Sequence, residues 1–312
     1  MTESTISAEQ RARLTARAAF ASSALAVTLI AMKAYAALQT SSMAMLGSLT
    51  DSSLDLVASL IVLLAVRIAA TPADQEHRFG HGKAEALAAL VQIIIITVSA
   101  IFIGFRAVQR LLAGAETGQA ELGIGVSIVA IVLTIALITY QRHVVKRTGS
   151  LAIGTDRLHY SSDLLLNGSV IIALVLDQFL GLVGADAIFG LLIALWLLWG
   201  AWSASGNALH QLMDREWPDE LRKRFLDACK DYPELEGLHD LRTRSSGTHD
   251  FAQFHVWVPA DWTVQEAHDR LDAIEEELQQ RFPNTEILIH VDPEGQTDRE
   301  TLLPSEITEK AE

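Results

Sequence analysis

The chain has 312 residues, half of them hydrophobic, a formal net charge of −14 and a single cysteine. One cysteine excludes an intramolecular disulfide framework and a thiolate-rich zinc site, and an acidic surface excludes nucleic acid as a partner, because binding phosphate requires the opposite sign. Acidic and basic residues balance through His210 and the whole negative excess lies beyond it, so an apolar, lipid-facing part precedes an acidic soluble one.

Arg11, Arg13 and Arg17 precede the first of six stretches of spanning length, at roughly 16–38, 45–69, 84–110, 122–143, 154–180 and 184–209. The first run is too long for a signal peptide, and further spans follow it. The fifth is the least apolar. Arg67, Arg78 and Lys83 lie in or beside the connection of the second and third spans, and Arg142, Lys146, Arg147 and Arg157 in or beside that of the fourth and fifth, while the alternate connections are poor in Lys and Arg. The positive-inside rule then places both termini of this multi-pass chain in the cytoplasm.

From Trp217 the pattern becomes that of a soluble α+β domain. A helix opens with Pro218 as its first residue and carries Leu221, Phe225, Ala228 and Cys229 on one face, with Pro233 ending it. A strand around 238–244, a Ser-Ser-Gly turn and a strand around 251–258 follow; Ala252, Phe254, Val256 and Val258 take one face of the second strand and His255 the other. A helix from about 263 to 281 is expected to bury Val264, Ala267, Leu271, Ile274 and Leu278. Pro283 and Asn284 turn the chain into a last strand, 286–291. The expected division is a membrane domain over 1–210, a cytosolic domain over 211–294 and a polar, disordered tail over 295–312.

Three constellations carry chemistry. Asp51 and Asp55, four residues apart, share one face of the second span, and His159 and Asp163 repeat that spacing in the fifth. Ionisable groups inside apolar spans are costly and mark ion sites, so four together call for a compensating divalent cation. Carboxylates with one imidazole suit Zn2+, with Cd2+, Fe2+ and Mn2+ as alternatives. Asn167 lies one further turn along. The second group is Asp74, His77 and His81, three ligands within a short polar connection. The third is His239, His249, His255, His268, His290 and Asp292 in the soluble domain; His290 and Asp292, two apart on a strand, share a face. The chain has no phosphate-binding Gly-x-x-x-x-Gly-Lys-Ser/Thr loop and no His-Glu-x-x-His, which leaves an ion gradient as the energy source. A secondary transporter is the favoured class. The alternative is a membrane-tethered metal sensor that binds without translocating, and such a sensor has no need of the intramembrane set.

These motifs resemble the cation diffusion facilitator family, in particular its bacterial zinc and ferrous-iron efflux branch. The resemblance runs through Ser-Leu-Thr-Asp51-Ser-Ser-Leu-Asp55, Phe-Gly-His81-Gly-Lys-Ala-Glu85, Leu-His159-Tyr-Ser-Ser-Asp163, Gly-Leu-His239-Asp-Leu-Arg-Thr-Arg244 and Ile-His290-Val-Asp292-Pro293. It implies a homodimer whose protomers have six membrane helices and an α-β-β-α-β metallochaperone-like cytosolic domain, exchanging a divalent metal for protons. It implies a transport site at Asp51, Asp55, His159 and Asp163, and a loop site at Asp74, His77 and His81. A cytosolic site at His239, His255, His268, His290 and Asp292, with Zn2+ as substrate and regulatory ion, and a structural charge pair of Lys83 with Asp214 follow in the same way. His249 matches no family ligand, and Val291 stands where relatives often carry Gln.

Overall fold

The computed structural model describes residues 7–40, 43–113, 124–180, 185–247 and 249–294. The side chain of Asp51 and the expected tail, 295–312, lie outside the described ones. The chain divides into two compact units, one of Glu9–Pro72 with Lys83–Leu209, the other joining Ala73–Gly82 to the chain from His210 onward.

The described residues of the first unit form six long helices: α1 (Ala8–Thr40), α2 (Met43–Ala69), α3 (Ala84–Ala113), α4 (Ile124–Thr148), α5 (Leu151–Leu180) and α6 (Ala185–Leu212). Its packing is inverted relative to a water-soluble bundle. Buried positions hold small residues such as Ala18, Ala19, Ala58, Ala89 and Ala100, together with polar Ser22, Gln92, Gln141 and Asp156, while Ile94, Phe102, Trp199 and Trp202 point outward. That distribution matches lipid as the solvent, where helices associate through close backbone approach and shared polar contacts. Gly104 and Gly190 serve this approach: an added Cβ would stand 3.5 Å from Ala194 and 3.4 Å from Ala107, respectively. Hydroxyls in the apolar helices satisfy themselves on the preceding turn, as Thr28 and Thr97 do on the carbonyls of Ala24 and Ile93. Five described helices, α1 to α4 and α6, contain segments long and apolar enough to cross a membrane. The sequence of α5 carries Asp156, Arg157, Asp163 and Asp177.

The soluble fold follows the α-β-β-α-β order: α7 (Asp219–Cys229), β1 (His239–Ser245), β2 (Asp250–Val258), α8 (Val264–Arg281) and β3 (Thr285–Pro293). The sheet order is β1-β2-β3, with β1 antiparallel and β3 parallel to β2, so α8 is the crossover that a parallel neighbour demands. Phe225, Cys229, Leu238, Leu241, Phe254, Val256, Leu271, Ile274 and Leu278 form the core between sheet and helices. A capping box closes the start of α8: Thr263 accepts from the Glu266 N–H and the Glu266 carboxylate accepts from the Thr263 N–H. Two expectations need correction. Pro218 is the residue before the first turn of α7 rather than its first member. Val264 is 89% exposed, because the capping box fixes Thr263 outside the helix and leaves the first residue of α8 ahead of the stripe formed by Ala267, Leu271, Ile274 and Leu278.

Candidate metal sites

Asp55 and Asp163 reach His159 from α2 and from one turn further along α5. His159 Nε2 lies 3.0 Å from Asp55 Oδ1 and 3.8 Å from Asp163 Oδ2. Ligand atoms at about 2.0–2.2 Å from a tetrahedral Zn2+ stand roughly 3.3–3.6 Å apart, so these two edges bracket what one ion needs. The three residues line a cavity of about 450 Å³ that also receives Lys33, Ser52 and Asn167. Asp51 lies on α2, one turn before Asp55.

His159 is held from behind. The Tyr160 hydroxyl donates to the Ser22 carbonyl at 3.0 Å and shares a 2.9 Å hydrogen bond with Ser59, tying α5 to α1 and α2. Three residues before His159, the fully buried Asp156 carboxylate accepts hydrogen bonds from Ser22, from Gln92 at 3.0 Å and from Gln141 at 2.7 Å. This junction links α1, α3, α4 and α5, and sequence reasoning missed it, as it missed Lys33. The available signal was a handful of polar residues in otherwise apolar runs, each expensive in lipid unless paired.

The second group forms in the Ala73–Gly82 connection. Asp74 Oδ1 accepts the backbone N–H groups of His77 at 2.7 Å and Glu76 at 2.9 Å, a turn that the chain forms by itself. These bonds, that from His77 foremost, hold the Asp74 carboxyl below its ordinary pKa and keep it anionic. His77 Nδ1 and His81 Nε2 then face the carboxylate at 3.6 and 3.4 Å. The connection packs on the soluble fold: Phe79 meets Phe251 edge-on at 5.4 Å, and the Arg244 guanidinium lies 4.1 Å from the Phe79 ring centre. Gly247, at φ +92°, sits so close that a Cβ would stand 2.8 Å from the Gly82 carbonyl oxygen.

The third group is a product of strand register. His239 pairs with His255, and His255 with His290, placing three imidazoles in one row across the sheet, while Trp257 pairs with Asp292. Asp292 Oδ2 lies 2.8 Å from His255 Nδ1 and 3.5 Å from His239 Nε2, and His290 Nε2 is 3.5 Å from Asp292 Oδ1. His239 Nδ1 bonds to the Gly237 carbonyl at 2.9 Å, which directs Nε2 and its lone pair toward Asp292. Gly237, at φ +80°, is required there, since a Cβ would meet Trp257 at 2.7 Å. Asp240, at φ +48° in the bulge after His239, turns its carboxylate to Arg242 at 2.8 Å and to His255 Nε2 at 3.9 Å. His268 is exposed on α8 and does not join this row within one chain. His249 contributes its carbonyl, which accepts the Ser246 N–H at 2.8 Å in the β1–β2 turn. Asp214 lies 3.8 Å from Arg244.

Each cluster presents carboxylate oxygen and imidazole nitrogen, a donor set for a borderline divalent cation. The description of the cation efflux transmembrane domain matches residues 19–213, and that of the cation efflux protein cytoplasmic domain matches residues 217–294. The chain is similar to the cation-efflux pump FieF of Salmonella newport, at 42% identity over 288 residues, covering 92% of this chain and 96% of the relative. FieF of Salmonella arizonae is 41% identical over the same shares. A solved structure of a putative zinc transporter, CzrB, in its zinc form is 39% identical over 28% of this chain and 99% of that one, with a TM-score of 0.25.

Proposed function

The chain belongs to the cation efflux, or cation diffusion facilitator, family, and we propose that it exports Zn2+ from the cytoplasm in exchange for protons. It is a multi-pass membrane transporter of divalent metal rather than an enzyme. On the proposed reading Asp51, Asp55, His159 and Asp163 are the transport site, and α5 crosses the membrane with the other five helices. Asp74, His77 and His81 bind metal in the connection after α2. His239, His255, His290 and Asp292, with His268, bind metal in a cytosolic domain that joins two protomers, and Lys83 with Asp214 forms a structural charge pair. Cd2+, Fe2+ and Mn2+ are further substrates, and both termini face the cytoplasm of a bacterial inner membrane.

One observation carries this reading: Asp55, His159 and Asp163 converge from two helices on a cavity inside the helical unit. A protein that only sensed metal would have no use for ligands placed there. Reconstituted full-length protein with a metal-sensitive dye inside the vesicles should show Zn2+ flux, and Asp51→Ala, Asp55→Ala and Asp163→Ala should each reduce it to the rate of empty vesicles while the protein stays folded. Normal flux in any of the three would remove that residue from the site.

A further inference from the structure

Lys33 places a positive charge where the metal is to bind. It sits seven residues before the end of α1, within reach of an interface to which a lysine in an apolar helix ordinarily extends its amine. Its Nζ instead donates to Ser52 Oγ at 2.7 Å, and Ser52 is only 1% exposed. Ser52 stands three residues before Asp55 on α2, so the two share a face, and Lys33 lines the same cavity as Asp55, His159 and Asp163.

We propose that Lys33 is a tethered counter-ion of the transport site, which offsets the carboxylates in the ion-free protein and opposes the divalent cation when it enters. The inference rests on the transport-site reading above. Carboxylates left without a cation in an apolar bundle are costly, and a fixed ammonium nearby reduces that cost through an attraction that strengthens as the dielectric falls. The same ammonium repels a divalent cation, so metal binds against it. Lys33 therefore weakens the metal-bound state relative to the empty one and speeds release. It is a residue that sets affinity and turnover, with no bond to the metal.

The test compares Zn2+ flux through reconstituted full-length wild type, Lys33→Met, Lys33→Gln, Lys33→Arg and Asp55→Ala. Both neutral variants should lower KM by about tenfold and lower kcat with it, the pattern of a site that holds its substrate too well. Lys33→Arg, which keeps the charge, should hold KM within about twofold of wild type. Unchanged or raised KM in the neutral variants would overturn the proposal, as would an arginine variant that behaves like them. Should Lys33→Met fail to fold, Lys33→Gln gives the same reading with a polar side chain. Normal flux through Asp55→Ala would mean that the transport-site assignment itself had failed, whereas an inactive Asp55→Ala with wild-type KM in Lys33→Met rejects Lys33 alone.

Discussion

His159 brings a nitrogen to a site otherwise made of carboxylate oxygens, and its Nε2 stands between Asp55 and Asp163. Imidazole favours Zn2+ over cations that prefer oxygen, whereas a carboxylate in its place makes the donor set uniformly hard. His159→Asp should therefore keep transport but admit Mn2+ and other oxygen-preferring ions, with the preference for Zn2+ falling by roughly tenfold or more in competition flux assays. An unchanged ion profile would take selectivity away from His159. The same scale explains why the i, i+4 pairs could be read from sequence and the buried junction at Asp156 could not. Four residues of spacing places Asp55 or Asp163 on a helix face without any tertiary information. The hydrogen bonds from Ser22, Gln92 and Gln141 depend on which faces of four helices meet, and the spacing within any one of them is silent about that.

The Ala73–Gly82 connection makes its own turn around Asp74, but its position depends on the soluble fold through Phe79. An aromatic pair and a cation–π contact of this kind contribute about 0.5–1.5 and 0.5–1 kcal/mol, respectively. Phe79→Ala should leave the fold intact yet weaken Zn2+ at Asp74, His77 and His81 by roughly fivefold to tenfold, measured by titration in a background lacking the other two clusters. Equal affinity would mean that the connection is positioned by its own turn alone. In the soluble domain, Cys229 is buried beneath the sheet and burial pushes its thiol up to about 12, so labelling requires the domain to open. Zn2+ bound across β1, β2 and β3 at about 100 times its dissociation constant adds roughly 2.7 kcal/mol to the closed form. Maleimide labelling of Cys229 should slow accordingly as Zn2+ is added; a rate indifferent to Zn2+ would detach the histidine row from metal binding. The strand boundaries and alternating faces of this domain were legible because alternation has a period of two. The alignment of His239, His255 and His290 was not, because register between strands depends on the bulge after His239 and on the α8 crossover. Sequence spacing likewise put Val264 on the buried stripe of α8, which the capping box prevents.

For the whole molecule, the proposed exchange follows from two ions competing for the same atoms. Carboxylate oxygens and the imidazole nitrogen bind metal only when deprotonated, so metal entry from the cytoplasm releases protons, and protons arriving from the other side displace metal. If the helices present the cavity to one side at a time, the empty site returns carrying protons and each cycle couples the two fluxes. A bundle held together by small residues and shared polar contacts suits such a rearrangement, since helices packed through Ala and Gly can slide without opening large voids. The coupling has a direction that can be imposed. In inside-out vesicles, an acidic interior should drive Zn2+ inward, and collapsing the pH gradient with a protonophore should stop net uptake. Apparent Zn2+ affinity should also fall as the cytoplasmic-side pH drops from about 7.5 to 5.5, a range in which imidazoles commonly gain protons. Asp55→Ala should abolish uptake under either polarity, which separates coupled transport from a proton leak. Uptake that ignores an imposed gradient and an affinity that ignores pH would instead describe a metal uniporter built on the same ligands.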